Sequence, residues 1–419
     1  MHVSDIFPHN SYPEYTYVKR EKRDLEENLE DALRMSGSIV SISGPSKSGK
    51  SMLVKRVAKN SHIEQIAIVN GSEIESTGDL WRQALDNLGT PTTTERHSSE
   101  TDESGNTITG GISTVVSAGA DKHSRSAETD TDVKVDSRRG LSKLIEVVDK
   151  DKFVLLIDDF HYIKSDVQSD IAEAIKAAAE RGISICVALV SYRSENLEKV
   201  NDDLAGRVYN IKLDYWHEHE LREIAELGFT VLNVEFSESL IETLVRESAG
   251  SPLLMQLLCY STCLHNDVRE PQDEHRVIEM EEGDRDGIFE EAIKWGGYSD
   301  VVSAINDGAT TRGEGRKLYP LKTGSEGDYY ECCLRAIAAN PPEFSFTRNE
   351  LYNRVKHECA GTHPQSNQVS LFCEQMDKIT KEERPDSRLV DWDEDEDTLH
   401  ISEPGLLFNI RWSVRLGIE

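Results

Sequence analysis

The sequence predicts an α/β architecture: a three-layer sandwich around a parallel sheet, then a small all-α subdomain and a C-terminal winged helix. Three observations carry this prediction. Short apolar runs alternate with helical stretches over residues 38–215, as in a parallel sheet with helical crossovers. Phe153 to Ile157 is a run of five apolar residues, which suits a central strand covered on both faces. Residues 325–419 read as three helices followed by a two-stranded hairpin.

The elements follow in order. Residues 1–37 are a polar segment ending in a helix over Glu21 to Met35, where Leu25, Leu29 and Leu33 share one face. The core spans 38–215. Its predicted strands are 38–43, Ile66 to Val69, Phe153 to Ile157, Ile183 to Val190 and Val208 to Leu213. Its predicted helices start at Met52, Gly78, Leu141, Asp166 and Leu197. Residues 92–138 interrupt the core. They are rich in Ser, Thr, Gly, Asp and Glu and read as an insertion, with a β-hairpin around Gly110-Gly111 between disordered flanks. Helical stretches at 217–229, 237–249 and 252–265 make up the subdomain 216–265. Residues 266–324 read as an acidic linker with one helix, Ile288 to Trp295. The last region, 325–419, has helices at Tyr329 to Ala339, 347–358 and 367–381, then strands at Arg388 to Trp392 and Thr398 to Ile401.

Charge narrows the partners. The chain carries 77 acidic and 47 basic side chains, a net −30. Nucleic-acid binding depends on Lys and Arg displacing counterions, so non-specific coating of DNA is disfavoured. The excess acid fits solubility or a salty cytoplasm. No stretch reaches about 18 apolar residues, so no membrane span is expected. The start lacks a basic region followed by an apolar run, so no signal peptide is expected either. Seven scattered cysteines make no disulfide framework. Together these features predict a cytoplasmic protein.

Gly44-Pro45-Ser46-Lys47-Ser48-Gly49-Lys50-Ser51 matches G-x-x-x-x-G-K-[ST] in full, between an apolar strand and a helix that continues at Met52. Gly44 and Gly49 permit the tight turn and let backbone N–H groups face phosphates. The helix N-terminus favours anions. Lys50 is expected on the β- and γ-phosphates, and the Ser51 hydroxyl on Mg²⁺. The matching acid stands where a buried strand ends at Asp158-Asp159. Asp158 is the expected Mg²⁺ ligand, directly or through water. Asp159 is the expected general base for the attacking water. Two adjacent carboxylates at the mouth of an apolar strand repel each other, which argues against a purely structural role. An Asp base is one methylene shorter than the more usual Glu. It predicts slow hydrolysis, or a chain that binds nucleotide and switches.

These motifs resemble those of AAA+-related P-loop ATPases, specifically the STAND clade and the archaeal origin-recognition-like ATPases. The resemblance covers roughly 14–265 and 325–419. It implies a P-loop NTPase sandwich with a helical lid over ATP. The segment Tyr17-Val18-Lys19-Arg20-Glu21 is similar to the family's F-x-G-R-E opening, which lies against adenine; Lys19 replaces its Gly. The strand Ile183 to Ser191 with Tyr192-Arg193 resembles the sensor-1 strand, bringing Ser191 or Arg193 to the γ-phosphate. Gly206-Arg207-Val208 resembles the arginine-finger position, which acts on a neighbour's nucleotide; Arg207 pairing with a local acid is the alternative. Gly250-Ser251-Pro252 resembles the G-x-P motif that sets the lid, with Pro252 at the nucleotide. It also reads as an ordinary helix end followed by Pro at the first position of the next helix.

The C-terminal region tests the DNA analogy against charge. Residues 325–419 hold 19 acids against 10 bases, and the turn between the last strands is Asp391-Trp392-Asp393-Glu394-Asp395-Glu396-Asp397. A wing normally lies along phosphates, which would repel this one. A protein-facing or autoinhibitory module is expected instead. The stretch from Pro404 to Trp412 is similar to a D-P-x-x-x-F-x-x-R-W ending of prokaryotic ATPases with this architecture. His357, Cys359, His363 and Cys373 lack the paired spacing of a zinc site, so the cysteines read as core. The expected function is a Mg²⁺-dependent, ATP-hydrolysing switch that controls assembly or a partner. Its expected partners are ATP, further copies of itself when ATP is bound, and an effector or sensor protein in defence or signalling. A DNA-binding origin-recognition-like or loader ATPase is the alternative.

Overall fold

The computed structural model describes residues 1–9, 11–20, 24–89, 137–190, 197, 202–279, 283–309, 315–385 and 387–417. The expected hairpin around Gly110-Gly111, Ser191, Arg193 and residues 198–201 of the expected helix 197–204 lie outside the described residues.

Strands β1 (Ile39–Gly44), β2 (Gln65–Asn70), β3 (Phe153–Asp158), β4 (Ser184–Val190) and β5 (Val208–Lys212) form one sheet in the order β2-β3-β4-β1-β5. Every pairing in it is parallel. The apolar run of β3 is buried throughout, and its side chains alternate between two cores. Phe153, Leu155 and Ile157 face one layer, built by α4 (Thr77–Asn87), α5 (Ser137–Val147) and α6 (Ser165–Ala179). Val154 and Leu156 face the other, built by α2 (Leu25–Leu33) and α3 (Lys50–Asn60). Helix α1 (Val3–Ile6) instead packs on the helical subdomain.

Register sets the site. Gly44 pairs with Val190, and Asn70 with Asp158, so the ends of β1, β2, β3 and β4 emerge at one edge of the sheet. A parallel sheet collects its loops there, in the crevice beyond the carboxyl ends of its strands. The glycine loop and both carboxylates are therefore delivered to one place by strand order alone.

The helical subdomain comprises α7 (Glu218–Leu232), α8 (Glu238–Glu247) and α9 (Pro252–His265). A short parallel pair joins it, β6 (Val234–Phe236) with β7 (Arg276–Ile278). The region expected as a linker carries two helices, α10 (Asp284–Gly296) and α11 (Ser299–Asp307). Ile288, Phe289, Ala292 and Ile293 of α10 pack into the subdomain core. Val301, Val302 and Ile305 of α11 pack into the C-terminal core. The expected helix Ile288 to Trp295 lies within α10, whereas α11 was not expected: its few apolar positions stand in a short polar stretch, which lowers the helical signal.

After a two-residue pairing of β8 (Tyr319–Pro320) with β9 (Glu326–Gly327), the C-terminal domain runs helix, strand, helix, helix, strand, strand. These are α12 (Tyr329–Ala338), β10 (Ser345–Thr347), α13 (Arg348–Glu358), α14 (Ser366–Glu383), β11 (Val390–Asp393) and β12 (Thr398–Ile401). The strands form an antiparallel sheet in the order β10-β12-β11, which is a winged helix with one more strand than the two expected. Cys332, Cys333, Cys359 and Cys373 are buried in its core. The wing turn is locally satisfied: Asp393 Oδ1 accepts from the backbone N–H of Asp395 and Glu396, both at 3.0 Å.

A final helix, α15 (Pro404–Leu416), joins the two C-terminal bodies. Phe408 and Trp412 pack in the subdomain core, with ring centres 5.6 and 4.2 Å from Phe289. Leu406, Leu407 and Ile410 pack in the winged-helix core. Between these faces Arg411 is buried against Glu247 at 3.0 Å. The similarity of this stretch to a D-P-x-x-x-F-x-x-R-W ending thus has a physical content: one helix with two apolar faces and an ion pair between them.

Candidate functional site

A cavity of about 560 Å³ opens at the carboxyl edge of the sheet. Its floor is the glycine loop. Gly44 ends β1 where a Cβ would meet the Leu213 backbone oxygen at 2.9 Å, so the close approach of β5 requires glycine. Gly49 stands at φ +98, a left-handed turn that starts α3 and aims its first N–H groups into the cavity. Trp216, at the head of the helical subdomain, donates from Nε1 to the Ser48 carbonyl at 2.9 Å and braces the loop from outside.

Lys50 opens α3 and is only 6% exposed. Its Nζ donates to the Gly44 and Pro45 carbonyls at 3.2 and 2.7 Å. Burial pulls its pKa down to about 8, against the opposing pull of Asp158 and Asp159. Ser51 Oγ donates to Asp158 Oδ2, so the hydroxyl of α3 and the first carboxylate of β3 meet across the sheet. Oxygen donors of this kind suit Mg²⁺, which takes one or two protein oxygens and fills the rest of its shell with water and phosphate. Among the described residues no group of three or more His, Cys, Asp or Glu could hold a metal alone.

Asp159 lines the same cavity. It sits at φ +53, a left-handed conformation, where β3 turns into a short 3-10 turn at Phe160–Tyr162. Burial, then the neighbouring Asp158 charge, raises its pKa. Gly71 backs this turn: a Cβ there would lie 2.4 Å from the Asp159 carbonyl oxygen.

Tyr17 and Val18 line the cavity. The Tyr17 hydroxyl donates to Glu26 at 2.8 Å, and its ring stacks on Tyr12 and under the Arg56 guanidinium. Pro252 lines the cavity at the first turn of α9, after Ser251, whose hydroxyl caps the helix. Ser46, Lys47, Ser48 and Met52 also line it; Pro45 contributes its carbonyl to Lys50 and lines a smaller neighbouring cleft. Arg207 is elsewhere. It precedes β5, at the edge of the sheet where strands begin, and pairs with Glu180 at 3.1 Å with both side chains about half exposed. In its own chain it does not reach the cavity.

Sequence reasoning assigned no role to several groups here, including Arg20 of the Tyr17–Glu21 opening. Arg20 is held between Glu220, at 3.3 Å, and the face of Trp216, and donates to the Asp214 carbonyl. It locks the N-terminal segment to the junction of core and subdomain. His9, Gln256, Tyr298, Arg388 and Glu403 also line the cavity. Glu403 stands at the first position of the D-P-x-x-x-F-x-x-R-W-like ending, where Glu replaces Asp, but that resemblance gave it no role at this cavity; the other four belong to no local motif. Burial raises the pKa of Glu403, whose Oε2 lies 3.9 Å from Lys47 Nζ.

Residues 33–195 match the family model described as an AAA domain. Over that stretch the chain is similar to an AAA domain, and its glycine loop and parallel sheet have the arrangement of a P-loop α/β fold. Solved structures with a similar course include the Walker-type ATPase PABY2304 of Pyrococcus abyssi, 14% identical over 94% of this chain and 96% of that one, with a TM-score of 0.49. The Aeropyrum pernix ORC2 protein, in ADPNP–ADP complexes, is 12% identical over 98% and 97%, with a TM-score of 0.48. CDC6p from Pyrobaculum aerophilum is 10% identical over 99% of both chains, with a TM-score of 0.43. No curated protein matches the chain. No described helix is long and apolar enough to cross a membrane.

Proposed function

We propose that the chain is a Mg²⁺-dependent ATPase in which the nucleotide controls how the helical subdomain and winged helix sit on the core. The single observation behind this reading is the cavity itself: N-terminal segment, glycine loop, carboxylates, subdomain and C-terminal domain all wall the same space. A ligand touching every part biases their arrangement by its differential contacts. Adenine takes the side of Tyr17 and Val18, and the phosphates take the loop. Ser51 and Asp158 would hold Mg²⁺, which would supply positive charge against the phosphates. Lys50 turns from its own loop carbonyls to phosphate oxygens. Asp159 accepts the proton of the attacking water. Arg207, exposed at the far edge, serves a neighbouring copy when ATP drives assembly.

Lys50→Ala tests the reading. Titration with a fluorescent ATP analogue is expected to lose at least about ten-fold in affinity, with phosphate release falling to background. Equal binding and turnover in both proteins would sink it. The lysine also sets a pH dependence. Phosphate binds its ammonium form, whose pKa lies near 8. Above that pH binding requires proton uptake, so affinity falls as pH rises, by up to about ten-fold per pH unit.

The alternative is a DNA-binding ATPase, supported by the winged helix. The wing Asp393 to Asp397 is acidic, and Arg348 beside it is already paired to Asp397 at 2.9 Å. We therefore favour a protein-facing winged helix, acting on an effector or sensor. Gel shifts at two salt concentrations are expected to show weak, non-specific retention of DNA. Tight, salt-sensitive binding would favour the alternative.

A further inference from the structure

The C-terminal domain closes the phosphate end of the cavity with side chains of opposite charge. Arg388 precedes β11 and Glu403 precedes α15; both line the space that holds Lys50, Asp158 and Asp159. Arg388 is anchored to the carboxylate strand. Its backbone N–H donates to the Tyr162 hydroxyl at 3.3 Å, and its guanidinium carbon lies 5.8 Å from the centre of that ring. Tyr162 closes the turn that starts at Asp159, and its backbone N–H donates to the Asp159 carbonyl at 2.9 Å. Arg388 Nη1 is buried and has no hydrogen-bond partner among the described residues. A buried guanidinium N–H without an acceptor is unfavourable, so the position calls for an anion.

Glu403 stands against such an anion. It accepts a hydrogen bond from the Tyr298 hydroxyl and faces Lys47 of the loop. A polyphosphate entering the loop competes with it for that lysine.

We propose that Arg388 contacts the terminal phosphate of the bound nucleotide in its own chain, and so selects triphosphate over diphosphate. This rests on the reading of the cavity as a nucleotide site. The direction follows from placement. Tyr17 and Val18 mark the base end, whereas Arg388 is tied to the turn after Asp158, the residue expected to hold the metal between the last phosphates. A guanidinium supplies two parallel N–H donors to a phosphate, a fit that lysine lacks. The winged helix thereby senses the terminal phosphate without base contacts or a second subunit.

Equilibrium titration of the purified full chain with Mg²⁺, using ADP and the β,γ-imido analogue of ATP, tests this. Arg388→Ala is expected to weaken the imido analogue about ten-fold or more and ADP less than about three-fold. Arg388→Lys is expected to recover part of the loss, with thermal melting checking that both variants fold. Glu403→Gln is expected to strengthen both nucleotides, because it removes a charge from the wall without discriminating between them. Equal loss of both nucleotides in Arg388→Ala, or no loss of either, overturns the proposal while leaving the nucleotide site in place. Failure of the wild-type chain to bind either nucleotide overturns the nucleotide site and the proposal together.

Discussion

Glu247→Ala is expected to lower the stability of the joint between subdomain and winged helix by about 3–5 kcal/mol. Glu247 and Arg411 are each 1% exposed as side chains, with Oε2 to Nη2 at 3.0 Å. The same oxygen accepts from Trp412 Nε1 at 3.0 Å. The guanidinium also donates through Nη1 to the Ala338 and Ala339 carbonyls at 2.9 Å, and through Nη2 to Asn340 Oδ1. Removing the carboxylate leaves a buried cation with one counter-charge fewer and an indole N–H without its acceptor. Desolvation is then uncompensated, which is why breaking one side of a buried pair costs more than an exposed pair is worth. Glu247→Gln keeps an acceptor and is expected to lose less. Denaturant midpoints measure the effect; an unchanged midpoint for Glu247→Ala would show that α15 is not clamped in this way.

Asp159→Asn is expected to cut phosphate release by about 10²–10⁴-fold while leaving nucleotide affinity within about three-fold. An amide cannot take the proton of the attacking water, yet it keeps the shape and the backbone turn at this left-handed position. The wild-type rate should also fall on acidification. The base acts only when deprotonated, and burial and Asp158 raise its pKa above the ordinary 3.8. The acid limb of the pH profile therefore lies above the range of a solvated aspartate, and Asp159→Asn removes it. Single-turnover phosphate release across pH measures both. An unaltered rate in the variant would move the base elsewhere, and the cavity offers Glu403 as the next carboxylate.

Much of the site was legible because its signals are local. Eight consecutive residues from Gly44 to Ser51 make the loop, and a five-residue apolar run places Asp158 and Asp159 at its end. Both patterns depend on backbone geometry within a few residues, where glycine, apolar runs and turns act through sterics and burial. The helical subdomain was legible for the same reason. In 266–324 the expected helix Ile288 to Trp295 is present within α10, but the stretch is no linker, because α10 and α11 bury short apolar faces in two different cores supplied by distant segments.

The sequence by itself determined the α/β core, the phosphate loop, the paired carboxylates and the acidity of the wing. Each is a property of one short stretch and its neighbours. Tertiary structure alone decided what closes the cavity. The anchoring bond between Arg388 and Tyr162 joins residues 226 positions apart, and Arg411 finds Glu247 across 164. Such contacts follow from how the C-terminal domain packs on the sheet edge and on the helical subdomain, and packing over that separation leaves no period, spacing or motif in the chain. The electrostatic tension that the sequence located at the wing tip thus has a second seat, at Arg388 and Glu403 in the wall of the cavity.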